Sequence, residues 1–276
     1  MRSILIIAGK EIRDGMRNRW VVATTLLLAA LALTLAFLGA APTGMVKVSP
    51  LEITVVSLSS LTIFLLPLIA LLLSYDAIVG EIDRGTMALL VAYPVSRLQV
   101  ILGKFTGHIA VLAFATILGY GAAGAAIALT GAAIDPEAWR AFAAMIGSSV
   151  LLGAAFISLG YFISTVVRDR GTAAGFAIGI WLVFVLLYDM ALLGLLVADQ
   201  GKTITVGMLN WLLLLNPADA YRLLNLTGFA NVSMFAGMAG LAEQARFTYP
   251  ALVAALSCWV VLPLALATAL FARRPL

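Results

Sequence analysis

Six apolar stretches, each long enough to cross a lipid bilayer, decide what this chain can fold into. They run over residues 20–40, 55–75, 105–130, 143–167, 172–198 and 250–271. A membrane helix needs about 20 apolar residues to span a hydrocarbon core roughly 30 Å thick. Inside that core every backbone N–H and C=O must be satisfied within the protein, so each stretch reads as a helix. No water-soluble fold of 276 residues could hide them: 63% of the side chains are hydrophobic and 11% charged. Soluble domains carry about 45–50% and about 25%. A soluble enzyme, a disordered chain and a nucleic-acid-binding domain are excluded. The expected fold is all-α, a single integral membrane domain over residues 1–276 with six transmembrane helices.

The first stretch follows basic residues and ends in Gly39-Ala40-Ala41, as a secretory signal does. Its apolar run exceeds the 7–15 residues of a signal core, so it reads as a retained span. The stretch 208–215 is too short to span and reads as a re-entrant or interfacial helix.

The formal net charge of +4 comes from 17 basic and 13 acidic residues. The basic residues are scattered through short loops, where they orient a membrane protein instead of binding nucleic acid. On the N-terminal side lie Arg2, Lys10, Arg13, Arg17, Arg19, Arg84, Arg97, Lys104, Arg168, Arg170, Arg273 and Arg274; the other side has Lys47, Arg140, Lys202, Arg222 and Arg246. The excess places both termini in the cytoplasm. Before the first span, residues 1–19 read as an amphipathic interfacial helix, with Leu5, Ala8, Ile12, Met16 and Trp20 on one face. It could anchor the N-terminus or take part in conformational coupling.

Small residues mark close helix contacts in lipid. Gly171, Gly175 and Gly179 recur every four residues; Gly119, Gly121 and Gly124, and Gly147, Gly153 and Gly160, mark two other spans. They are expected to pack within the chain, or else against a second copy. Pro67 and Pro263 fall inside spans and are expected to kink them. Asp189 is the one carboxylate clearly inside a span. It needs a partner or a wet cavity, and reads either as a cavity-lining group or as a structural hydrogen bond near the interface.

Metal chemistry finds little support. The single Cys258 and the single His108 cannot form a Cys/His ligand cluster or an intrachain disulfide. Cu(I) favours soft ligands, but the spans offer only Met145 and Met190, far apart in sequence, besides Cys258. No metal site is assigned. Met234 and Met238 could share a helical face, which reads as apolar packing before copper contact. No catalytic residue is assigned either: H-E-x-x-H is missing, and the three Gly-Lys pairs lack the upstream glycine of a phosphate-binding loop.

The loop 76–104 carries the clearest motif. Gly80-Glu81-Ile82-Asp83-Arg84-Gly85-Thr86 opens a short surface helix that Tyr93-Pro94 interrupts. Ser96 and Gln99, spaced as a capping box, start a second. The result is a helix–turn–helix elbow with charged tips. Glu81 with Gly85-Thr86, then Tyr93-Pro94-Val95-Ser96-Arg97, then Leu102-Gly103-Lys104, resembles the ABC-2 type permeases of ATP-binding-cassette transporters. That resemblance implies a type V exporter-like fold in which the elbow is a coupling helix against an ATPase. Glu81, Asp83, Arg84, Gly85 and Thr86 would lie at that contact, with Arg168, Asp169 and Arg170 as a second one. The ATPase, with its ATP and magnesium, would be a separate polypeptide, and this chain would hold no cofactor.

Residues 199–249 form a long outer segment, read as short periplasmic helices on the rim. The run from Trp211 through Asn216-Pro217 to Phe229 resembles, within that family, permeases serving maturation of the copper enzyme nitrous oxide reductase. So do Lys10-Glu11 through Asn18-Arg19-Trp20, Leu65 through Leu73, and Tyr75 through Glu81; 45–50 and 230–248 resemble nothing recognised. The resemblance implies a homodimer in a bacterial inner membrane bound to two ATPase copies. It also implies a periplasmic β-helical copper-binding partner, seated at Trp211, Asn216, Pro217, Asp219, Tyr221 and Arg222, and indirectly a copper chaperone and the reductase. The rival expectation is an exporter of a lipid, drug or other small molecule.

Overall fold

A computed structural model describes residues 2–38, 50–130, 135–200, 202–226 and 247–274. Every regular element among them is helical. Helix α1 (Arg2–Arg17) precedes the first span, α2 (Arg19–Leu38). The second span, α3 (Pro50–Ser74), leads into α4 (Val79–Asp83) and α5 (Thr86–Ala92). The third and fourth spans are α6 (Arg97–Leu129) and α7 (Pro136–Val166). The fifth is α8 (Arg170–Leu182), a π turn (Val183–Leu187) and α9 (Tyr188–Asp199). Helices α10 (Val206–Leu214) and α11 (Pro217–Leu226) follow, and α12 (Tyr249–Arg273) is the sixth span. Among the described residues six helices are long and apolar enough to cross a membrane, as the sequence predicts.

Local chemistry explains most boundaries. Ser96 Oγ accepts from the Gln99 amide (3.2 Å) and Gln99 Oε1 from the Ser96 amide (3.1 Å), completing the capping box. The helix it starts differs from expectation. No break separates a second elbow helix from the third span, because nothing between Arg97 and Leu129 stops a helix. The first elbow helix is instead divided at Gly85, whose φ of +70° lies in the left-handed region that favours glycine. Tyr93, ahead of Pro94, is extended and ends α5. Asp135 caps the fourth span, with Pro136 at its first position. Helices α3 and α12 continue through Pro67 and Pro263.

The fourth span is the hub, packed against α3 and α12 and also meeting α6 and α11. About 67% of its most apolar window is buried, against 11% for the fifth span, which stands at the edge of the chain. Several hydroxyls inside the bundle are satisfied internally. Thr62 Oγ1 donates to the Leu58 carbonyl and lies 2.7 Å from Tyr120 Oη, and Ser149 Oγ lies 2.9 Å from Tyr221 Oη.

Helices α10 and α11 form a hairpin that enters the bundle instead of lying on its rim. Its tip is tied to mid-span positions: Asn216 Nδ2 donates to the carbonyl of Phe184 (2.9 Å), and Trp259 Nε1 to that of Leu214 (3.1 Å). Trp259 is ten residues into α12, so the tip meets that helix about 15 Å from its start. The amphipathic sequence of α11 covers its apolar face with α7, α12 and α3.

Candidate functional site

The elbow is fixed from beneath by buried charges. Helix α1 lies along the start of α6, and two glycines of α6 admit it. A Cβ at Gly103 would stand 2.7 Å from Ile7 Cβ, and one at Gly107 would stand 2.5 Å from Glu11 Cβ. Each glycine is followed by a residue that reaches the same carboxylate. Lys104 Nζ is 2.8 Å from Glu11 Oε1, and His108 Nε2 is 3.5 Å from Glu11 Oε2. Lys104 Nζ is also 2.6 Å from Glu81 Oε1 in α4. His108 Nδ1 is 3.0 Å from Tyr161 Oη in the fourth span, and Lys10 borders the cluster at 3.4 Å from Glu11. One ammonium thus joins the interfacial helix, the elbow and the third span. Burial pushes the Glu11 carboxyl up, but the His108 hydrogen bond and the Lys104 charge outweigh it and hold Glu11 well below the usual carboxylate range.

The backbone of the elbow is anchored as firmly. The amides of Ile78 and Val79 both donate to Ser164 Oγ, each at 3.0 Å. Arg97 donates to the carbonyls of Phe271 and Arg274 at the end of α12, and Arg274 to those of Ser164 and Thr165. These cations sit where helix C-termini leave carbonyls unpaired.

Of the residues expected at an ATPase contact, Asp83, Arg84, Gly85 and Thr86 are exposed on the elbow tip. Arg168, Asp169 and Arg170 are exposed beside it. Arg170 Nη2 donates to Asp76 Oδ2 at 2.7 Å, tying the two loops together. Asp169 caps α8, and the Thr172 amide that donates to it holds its carboxyl below the ordinary range. Glu81 differs from expectation: its side chain is 11% exposed and turned inward to Lys104, so it supports the tip without presenting itself there. Glu11 and Lys104 were not assigned a site role from sequence; the signals were their place in the Lys10-Glu11 and Leu102-Gly103-Lys104 motifs and the Gly-Lys and Gly-His pairs repeated four residues apart.

At the other end, Asp189 has found a partner. Arg222 Nη2 lies 2.8 Å from Asp189 Oδ2, and Nη1 lies 2.6 Å from Asp219 Oδ1. Asn216 Nδ2 donates to Asp219 Oδ2 at 3.0 Å. Asp189 therefore belongs to an ion-paired cluster. The apolar groove of about 610 Å³ beside α12, walled by Trp211, Leu215, Cys258, Trp259 and Pro263, does not include it. The expected outer contact surface also changes. Asn216, Pro217, Asp219 and Tyr221 are buried in the bundle; only Trp211 is exposed, with Arg222 partly so. The reason is the inward course of α11.

The glycine series divides in the same way. Gly119, Gly124, Gly153 and Gly160 pack against neighbouring helices, whereas Gly121 and Gly147 of the same spans, and Gly175 and Gly179, face open space. Intrachain packing therefore accounts for part of the third- and fourth-span series and does not account for Gly175 and Gly179. Among the described residues no three His, Cys, Asp or Glu side chains gather as metal ligands would. Met234 and Met238 lie outside the described residues.

The arrangement can receive force at an exposed elbow and pass it through buried ion pairs. The family model described as ABC-2 family transporter protein matches residues 5–276. The chain belongs to that family. It is 47% identical to the "Probable ABC transporter permease protein NosY" of Pseudomonas aeruginosa, an alignment covering 100% of both chains. It is 46% identical to the protein of the same name from Stutzerimonas stutzeri, covering 99% of each. In this ABC-2 family permease the elbow and the Arg168–Arg170 turn are the exposed features of the N-terminal face, and the hairpin fills the opposite half of the bundle.

Proposed function

We propose that this permease couples ATP hydrolysis in a separate cytoplasmic ATPase to a periplasmic copper-handling partner, for maturation of nitrous oxide reductase. Full-length identity of 46–47% to two permeases named NosY carries the reading. ATP and magnesium belong to the ATPase, and this chain contributes no catalytic group. The chain works as a homodimer in the bacterial inner membrane, both termini cytoplasmic, with two ATPase copies on the elbows. The fifth span, 11% buried and with Gly175 and Gly179 open, supplies a face for the second copy. A β-helical copper-binding partner sits over the exposed turn at 202–205, and copper passes from a chaperone to the reductase outside the membrane.

The test is the copper content of the reductase from a strain lacking this chain. Copper-poor enzyme, restored by the intact chain but not by Arg84→Glu on the elbow tip, is expected. Fully metallated enzyme would reject the role. The apolar groove of about 610 Å³ favours one second reading, export of a lipid or other apolar molecule. Substrate-stimulated ATPase activity would mark it.

A further inference from the structure

The fifth span has few side-chain attachments to the rest of the chain, and they lie at particular heights. At its N-terminal end Arg170 pairs with Asp76 at the base of the elbow (2.7 Å). Midway, Trp181 Nε1 donates to the Phe64 carbonyl (2.9 Å). Then, within six residues, three groups reach the re-entrant hairpin. The Phe184 carbonyl accepts from Asn216 Nδ2 (2.9 Å), Tyr188 Oη donates to the Leu212 carbonyl (2.6 Å), and Asp189 pairs with Arg222 (2.8 Å).

Phe184 lies within the π turn Val183–Leu187, and Tyr188 and Asp189 follow it directly. A π turn adds a residue to the helical repeat and changes the face that later residues present. It also loosens the i→i−4 ladder, which lets a side-chain amide reach a carbonyl. Apolar packing backs these bonds on one side only: Val185 and Leu192 are buried and the Phe184 ring meets Phe156 and Trp259, while Leu182, Val183, Leu186, Leu187 and Met190 are exposed. Arg222 is suited to the junction because its planar fork offers one nitrogen to each carboxylate. Asp189 Oδ1 is buried and accepts no hydrogen bond from an N–H or hydroxyl donor, with the Asp219 carboxyl as the neighbour of Asp189.

We propose that the π turn with Tyr188, Asp189 and Arg222 is a latch through which the fifth span drags the hairpin. The span is a lever, held to the elbow by Arg170 and to the hairpin by the latch, and free along its outer side. These are positioning residues for the coupling cycle. The proposal rests on the coupling role proposed above but not on copper.

The test uses the assembled permease–ATPase complex in lipid nanodiscs, in a Cys258→Ala background. An environment-sensitive fluorophore is placed at Lys202→Cys above the hairpin, or at Ala88→Cys on the elbow. Both probes should respond to ATP in the parent. Asp189→Asn and Arg222→Gln should keep ATP hydrolysis and the elbow response within about twofold and cut the hairpin response at least about fivefold. Tyr188→Phe should lower it about twofold, and Arg222→Lys, which keeps the charge, should retain most of it. A full hairpin response in Asp189→Asn and Arg222→Gln would overturn the latch. So would a parent without a hairpin response, or both probes falling together in step with assembled complex. Failure of Tyr188→Phe to assemble would make these bonds structural alone and overturn it too. A reductase that is fully metallated without this chain would reject the copper role and leave this result standing.

Discussion

The two charged clusters of this permease use the same stoichiometric core, two carboxylates around one cation, at opposite ends of the molecule. At the elbow, Lys104 stands between Glu11 and Glu81 and is 4% exposed. At the hairpin, Arg222 stands between Asp189 and Asp219 and is 21% exposed. The elbow cluster has His108 and Lys10 at its edge and is zipped shut by Gly103 and Gly107. Among the described residues, the carboxylates of the hairpin cluster meet the Asn216 amide besides the arginine and each other. A lysine is a point charge that serves two carboxylates arriving from different helices; arginine's fork fixes the direction of each. The elbow cluster is therefore a packed joint, and the hairpin cluster an oriented one with less packing around it.

The strongest way to break the comparison is Lys104→Met, which strands two buried carboxylates. Removing one partner of a buried ion pair costs about 3–5 kcal/mol, so a large loss of thermal stability in detergent is expected. A loss below about 1 kcal/mol would show the cluster to be solvated like a surface pair. Arg222→Met should cost less, about 1–3 kcal/mol, because its partly exposed group retains some solvation. Thermal unfolding of the two variants side by side checks the order.

Gly85→Ala sharpens the elbow side alone. A Cβ at φ +70° costs about 1–2 kcal/mol, and coupled ATPase activity should fall while the hairpin cluster is untouched. Ser96→Ala removes the capping box at the start of α6 and should cost about 1 kcal/mol by the same unfolding assay.

The remaining effect is the pH dependence. Glu11 has a lower pKa folded than unfolded, so its contribution is complete above its unfolded value of about 4.5. It is lost as pH falls through the depressed folded value. Unfolding temperature should hold between pH 8 and 5 and decline below, and Glu11→Gln should flatten that acid limb.

What the sequence determined by itself is local. Runs of apolar residues set the number of spans. Ser96 with Gln99, Asp135 with Pro136, and Pro94 set helix ends, since caps and steric stops act over a few residues. The exposed tip of the elbow was legible for the same reason; the break at Gly85 was not. What only the tertiary structure decided is which face of each helix meets which neighbour. A soluble helix announces its buried face by amphipathic periodicity, but a span is apolar all round, because lipid and protein interior ask for the same side chains. Hence Glu81 turned inward to Lys104, Asp189 met Arg222 from 33 residues away, and Asn216 and Tyr221 sank into the bundle. Glycines four apart pack a helix at Gly103 and Gly107 and lie bare at Gly175 and Gly179. Spacing permits a close approach; only the fold supplies the helix that makes it.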